Sequence, residues 1–138
     1  MWPEIEATKK ENKRELKLSG AQVSERIDSD GLHPSLFEIN ALNLLNISDT
    51  TLKIVPSLIS NLANLQTILF YGNEITELPS SIGQLDKLKV LDVSRNKLTK
   101  IPSEIANLPN LTTINLSNNN LTEFPTLSNS QKLLVIDL

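Results

Sequence analysis

A fixed 23-residue period constrains this chain more than any other feature. From Leu88 to Asn110 the apolar residues fall at Leu88, Leu91, Val93, Leu98, Ile101, Ile105 and Leu108, with Asn96 between the third and the fourth. The same offsets recur at Leu65, Ile68, Phe70, Ile75, Leu78, Ile82 and Leu85, with Asn73. They recur again at Leu42, Leu45, Ile47, Leu52, Val55, Ile59 and Leu62, where Thr50 takes the asparagine position. A fourth copy opens Leu111, Ile114, Leu116, Asn119, Leu121, Phe124. Four successive units at one period argue against a single central core and for a stack of like units, each closing its neighbour's apolar face.

The chemistry of one unit accounts for the spacing. Leu91 and Val93 are two apart and Asp92 lies between them, so a short strand turns the first pair inward and the aspartate outward. Asn96 ends the strand, because its amide both donates to and accepts from backbone groups left unpaired at a bend. Val55-Pro56, Leu78-Pro79, Ile101-Pro102 and Phe124-Pro125 open the return path. Proline is expected there at the first position of a short helix, where its missing N–H has no partner to lose. Ile82 and Leu85, like Ile105 and Leu108, then lie three apart on one side of that turn. Parallel strands about 4.8 Å apart build a sheet roughly 25 Å across from five or six units.

The pattern L-x-x-L-x-L-x-x-N-x-L resembles the leucine-rich repeat family, position for position in the second to fourth copies. That resemblance implies an α/β solenoid with a curved, parallel concave sheet, a short helical or irregular convex side and an N-terminal capping helix. The units are expected at 42–64, 65–87, 88–110 and 111–132, with a truncated unit at 133–138. Residues 1–41 hold the cap helix and a degenerate first repeat.

In residues 3–15, Glu4 and Glu6 come early and Lys9, Lys10, Lys13 and Arg14 late, a polarity that suits a helix dipole. Trp2, Ile5 and Ala7 are the apolar groups such a helix has for docking. The basic residues could form a patch for RNA, but interleaved Glu4, Glu6, Glu11 and Glu15 favour a solvated capping helix. Leu16-Lys17-Leu18 reads as a degenerate first strand, and Leu32, Leu36 and Ile39 match return positions, about six residues late. Residues 19–31 are expected to be an irregular loop. Asp28-Ser29-Asp30-Gly31 superficially suggests a calcium loop but lacks the glutamate that such a loop requires, so a turn is expected.

The fourth unit is a residue shorter, with Leu133 following Leu111 by 22, and Leu127 replaces the expected apolar position. Leu133–Leu138 is a strand with no polar cap after it, which reads as a fragment of a longer protein.

The remaining composition excludes several function classes. A net charge of -3 gives no overall drive toward nucleic acid or an anionic membrane. No run approaches the length of a membrane-spanning segment or a signal peptide. There is no cysteine, hence no disulfide and no thiolate metal site. Extracellular members of the resembled family commonly carry disulfide-bonded caps, so a cytoplasmic location is expected. His33 is the single histidine and has no serine or carboxylate motif tied to it. With no glycine-rich phosphate loop, no metal-ligand cluster and no nucleophile–base pair, no enzyme, cofactor or metal is expected. Asn46, Asn110, Asn115 and Asn120 match N-x-[ST], but the repeat generates that triplet by itself.

Outward strand positions form three rows. The first is Leu44, Thr67, Val90, Thr113 and Val135. Lys17, Asn46, Leu69, Asp92, Asn115 and Asp137 make the second, and Ser19, Ser48, Tyr71, Ser94 and Ser117 the third. Most are small and polar. Leu69 and Tyr71 beside Val90 and Arg95 are the exception, residue types enriched at binding hot spots. The expected function is a non-enzymatic protein-binding scaffold or adaptor. Its concave face would hold a partner around Leu69, Tyr71, Val90, Asp92, Arg95 and Asn115. The bland alternative is that Tyr71 merely packs on its neighbours.

The segment Trp2-Pro3-Glu4-Ile5-Glu6 and the later Lys13-Arg14-Glu15-Leu16-Lys17-Leu18-Ser19-Gly20 also resemble one branch of the family. In that branch the repeats precede a region similar to the B3/B4 domain of the phenylalanyl-tRNA synthetase beta chain. This implies, as an alternative, accessory repeats of an RNA-binding, translation-related parent protein. RNA contact would come through a domain beyond this chain.

Overall fold

A computed structural model describes residues 2–125 and the strand 135–137. Six strands, β1 (Glu15–Ser19), β2 (Leu44–Ser48), β3 (Thr67–Leu69), β4 (Val90–Asp92), β5 (Thr113–Asn115) and β6 (Val135–Asp137), form one sheet in chain order. Every pairing is parallel. Leu16, Leu45, Ile68, Leu91 and Ile114 align in register and are buried, a continuous apolar line through the stack. From β2 to β5 each strand pairs with the one 23 residues on, as the period demands. Glu15 pairs with Leu44, the late first return seen in the spacing, and Thr113 pairs with Val135, the shortened fourth unit. Leu127 and the end of the chain at Leu138 lie outside the described residues.

The return paths differ from expectation in one detail. They are single 3-10 turns at Pro34–Glu38, Ser57–Asn61, Ser80–Gln84 and Ser103–Asn107. Pro34 begins its turn, but Pro56, Pro79 and Pro102 each stand one residue before theirs, in extended conformation. A residue leaving the strand layer must stay extended until it reaches the convex side, and proline's fixed φ suits that position as well as a helix start. The 3-10 bonds Leu62 N–H to Ile59 O and Leu85 N–H to Ile82 O hold the two apolar residues inward. Adjacent turns stack closely: a Cβ on Gly83 would lie 2.6 Å from the Glu104 Cβ and 2.7 Å from its carbonyl oxygen.

The asparagines act as the sequence implies. Asn96 Nδ2 donates to the carbonyls of Phe70, Val93 and Ser94, while its Oδ1 accepts from the Ile75 N–H at 3.0 Å. Asn119 repeats the pattern one unit on, and Asn73 repeats its donor half one unit before, its Oδ1 accepting from the Thr50 N–H instead. Thr50, the departure from pattern, still joins this ladder: its hydroxyl donates to Asn73 Oδ1 and accepts from the Leu52 N–H.

At the amino end, α1 (Pro3–Lys10) places Ile5, with the N-cap residue Trp2, in the core that continues through the solenoid, and Thr8 is buried beside them. Acidic Glu4 and Glu6 occupy its first turn and Lys9 and Lys10 its last. The expected irregular loop at 19–31 is instead a helix, α2 (Ala21–Asp30), with Val23 and Ile27 buried one turn apart. Only that apolar pair signals the helix, too little for a periodic pattern. Gly20 and Gly31, both at positive φ, delimit it. The stretch read as a turn, Asp28–Gly31, is therefore its last turn and cap, closed by Gly31 N–H to Ile27 O at 2.8 Å. Arg26 on α2 grips Glu4 on α1 with two hydrogen bonds of 3.0 and 2.8 Å and lies 4.7 Å from the Trp2 ring. Those hydrogen bonds hold the Glu4 carboxyl below its ordinary pKa.

Candidate functional site

The sheet face opposite the 3-10 turns carries the outward rows, and the register sets their neighbours. Leu69, Asp92 and Asn115 lie side by side on β3, β4 and β5, and Val90 stands between Thr67 and Thr113. All four are half-buried. The second and third rows are less open than their alternation implies: Asn46 and Ser48 on β2, and Ser94 after β4, are buried. Asn46 is flanked by Lys17 and Leu69, so larger neighbours cover a small residue in the middle of the sheet.

Just past the strands a second periodic feature appears, one that the apolar pattern does not reveal. Asp49, Gly72, Arg95 and Asn118 all have positive φ, at +54°, +71°, +52° and +57°. They are spaced one unit apart. Each amide of Asp49, Gly72 and Arg95 donates to the residue before the equivalent position in the next unit: Tyr71, Ser94 and Ser117. The left-handed conformation thus extends the hydrogen-bond ladder beyond the strand ends. Aspartate, glycine and asparagine visit it readily, and those residue types were the available signal; arginine is the outlier.

Arg95 is also the residue held in place by its surroundings. Its guanidinium lies 5.5 Å from the Tyr71 ring and its Nη2 donates to Asp49 Oδ1 at 3.1 Å, reaching across two units. Gly72 lies beneath this bridge. A Cβ there would sit 2.3 Å from Asp49 Oδ1 and 3.2 Å from Arg95 Nη2. The sequence pairs Tyr71 with Arg95; the fold adds Asp49 as the third member and Gly72 as the space they occupy.

Asp92 and Asn115 have local duties as well. Asp92 Oδ1 accepts from the Ser94 N–H and hydroxyl at 3.0 and 2.6 Å, and Asn115 Oδ1 does the same for Ser117 at 3.1 and 2.8 Å. These Asx turns steer the chain into the left-handed residue that follows.

Of the basic stretch 9–17, Lys9 pairs with Glu38 at 2.7 Å and Lys13 with Glu11 at 3.0 Å. His33 accepts the Ser35 N–H at Nδ1, capping the turn that follows it. No serine is expected from the sequence to be tied to His33, but its Nδ1 also lies 2.7 Å from the Ser35 hydroxyl, a contact between neighbours within that cap. Among the described residues no three metal-ligating side chains cluster, and no helix is long and apolar enough to cross a membrane.

A stack of parallel strands, 3-10 returns and an asparagine ladder defines a repeat-built interaction fold. The leucine-rich repeat region family matches residues 11–133, and the chain belongs to that family. Similar solved structures include a leucine-rich repeat protein of Leptospira interrogans, at 27% identity and TM-score 0.71. A Shigella effector leucine-rich repeat domain is 25% identical with TM-score 0.71. The leucine-rich repeat ectodomain of a plant membrane receptor kinase from Arabidopsis thaliana is 29% identical with TM-score 0.72. The matches cover 88%, 96% and 91% of this chain but 35%, 52% and 15% of those chains. This chain therefore corresponds to only part of their length. No curated protein matches it significantly.

Proposed function

We propose that the chain is a non-enzymatic protein-binding scaffold or adaptor, whose concave face holds a partner segment around Leu69, Tyr71, Val90, Asp92, Arg95 and Asn115. The observation that carries this reading is the Asp49–Arg95–Tyr71 bridge over Gly72. Arg95 adopts a left-handed backbone uncommon for its type, and its side chain is held against an aromatic ring on an exposed rim. A large aromatic and an arginine already ordered lose little entropy on binding. The family's fold commonly mediates protein association, and the similar Arabidopsis ectodomain is in complex with CASPARIAN STRIP INTEGRITY FACTOR 2. A cytoplasmic site of action belongs to the same proposal and rests on the cysteine-free composition; fractionation of expressing cells checks it.

The test is a quantitative cytosolic pull-down comparing the wild-type chain, Tyr71→Ala/Arg95→Ala, and a convex-side control, Ile54→Ser, at a residue 74% exposed. A protein held by wild type and control but lost by the folded double variant supports the reading. Retention of every captured protein by the double variant sinks it. The alternative of accessory repeats in an RNA-binding, translation-related parent places RNA contact in a domain beyond this chain. RNA capture by a longer natural form, and none by this chain, would favour it.

A further inference from the structure

The concave face has a second end, beyond the Tyr71–Arg95 anchor. Over β1, β2 and β3 lies a depression of about 590 Å³ lined by Lys13, Arg14, Lys17, Leu44, Asn46 and Leu69.

Two independent features mark it as incomplete. Asn46 occupies the row position that Asp92 and Asn115 fill in later units. Those two spend Oδ1 on the serine two residues on, yet Asn46 Oδ1 is buried and has no hydrogen-bond partner among the described residues, although Ser48 stands at the same offset. The residue is only 8% exposed and lines the depression.

The second feature is charge. Arg14 and Lys17 form no ion pair among the described residues, whereas Lys9, Lys13, Arg26 and Arg95 each do. Glu15 at the lip offsets one of these cations, leaving a positive balance on a chain whose net charge is -3. Arg14 is anchored from below, its carbonyl accepting from the Asn43 and Leu44 amides at 2.8 and 3.2 Å. Unpaired cations thus sit beside two half-exposed leucines, Leu44 and Leu69.

We propose that this depression docks an extended, acidic segment of a partner protein. A carboxylate side chain meets Arg14 and Lys17, an aliphatic side chain two residues along packs on Leu44 and Leu69, and the Asn46 amide turns its Oδ1 toward a donated backbone N–H. Residues two apart in an extended chain share a face, so an acidic residue and an aliphatic residue separated by one small polar residue meet both requirements at once. The inference rests on the concave-face reading and narrows it to the partner's chemistry.

The experiment titrates the ¹⁵N-labelled chain with three capped pentapeptides: Ser-Glu-Ser-Leu-Ser (the Glu-Leu peptide), Ser-Gln-Ser-Leu-Ser (the Gln-Leu peptide) and Ser-Lys-Ser-Leu-Ser (the Lys-Leu peptide). Expected are amide shifts confined to Leu44, Asn46, Leu69 and their neighbours for the Glu-Leu peptide, with binding at least about fivefold weaker for the Gln-Leu peptide. Arg14→Gln/Lys17→Gln should remove that preference, and raising the salt should reduce it. Equal binding of the acidic and neutral peptides, or a preference unchanged in the double variant, overturns this inference while leaving the Tyr71–Arg95 site intact. Shifts on the convex side, around Ile54 and Leu58, defeat the concave-face reading as well. Binding of a single-stranded RNA oligonucleotide through Arg14 and Lys17, with no peptide binding, assigns the depression to a different class of partner and also overturns it.

Discussion

Gly72→Ala tests the bridge that the proposed function depends on. The added methyl lies 2.3 Å from Asp49 Oδ1, closer than any non-bonded contact allows, so the Asp49 side chain must rotate away. Rotation breaks its 3.1 Å hydrogen bond to Arg95. Both side chains are more than half exposed, at 58% and 54%, so losing this ion pair costs only about 0.2–1 kcal/mol. Alanine at φ +71° adds about 1–2 kcal/mol for the left-handed backbone. The sum is about 1–3 kcal/mol, measured as the change in urea-unfolding free energy. In an Asp49→Ala background the methyl meets no carboxylate, and the cost should fall to the backbone part, about 1–2 kcal/mol. The Arg95 Nε–Hε resonance should shift in Gly72→Ala and in Asp49→Ala alike, since both release the guanidinium from its carboxylate. An identical Gly72→Ala cost in both backgrounds, with an unmoved Arg95 signal, would refute the reasoning.

Asn96→Ala should destabilise by about 1–3 kcal/mol in the same assay, the cost of one orphaned buried donor. The carbonyls of Phe70, Val93 and Ser94 keep Asn73, Asn119 and the Gly72 N–H, while the Ile75 N–H loses its acceptor; a loss beyond about 5 kcal/mol would show that the neighbours do not compensate. Gly83→Ala should cost about 1–3 kcal/mol through overpacking, because the atoms it meets include the Glu104 carbonyl, which cannot swing aside; a neutral urea midpoint would contradict the close stacking of the 3-10 turns. Glu4 has its pKa lowered by its hydrogen bonds from Arg26, so its stabilisation is present above the unfolded value, near about 4.3, and is lost as pH falls through the depressed folded value. Glu4→Gln should therefore be less stable than wild type at pH 6, by under about 1 kcal/mol for this part-exposed pair, with the gap narrowing as pH falls below the unfolded value; a gap that does not narrow in acid would mean that packing, not charge, is at stake.

The period alone was enough to set the architecture. Leu91 and Val93 two apart, Asn96 three further on, and the same set 23 residues away in both directions leave one arrangement in which every apolar group is covered. The asparagine ladder was legible for the same reason, since only a side chain that both donates and accepts meets the backbone's needs at the bend. Where the apolar signal was thin, the reading failed: α2 rests on Val23 and Ile27 alone, and its boundaries come from two glycines that a loop would equally contain.

The site divided along the same line. Residues that share a row follow from a side-chain alternation of two, so Leu69, Asp92 and Asn115 could be placed together from sequence. Asp49 could not be joined to Arg95, because the bond between them crosses two units and depends on where a left-handed backbone aims each side chain. Nor does the row assignment reveal that Asn46 Oδ1 is buried with no partner among the described residues while Asp92 and Asn115 are satisfied. Periodicity determines what repeats; the three-dimensional packing of unlike neighbours decides what does not, and on this chain the unlike positions carry the functional proposals.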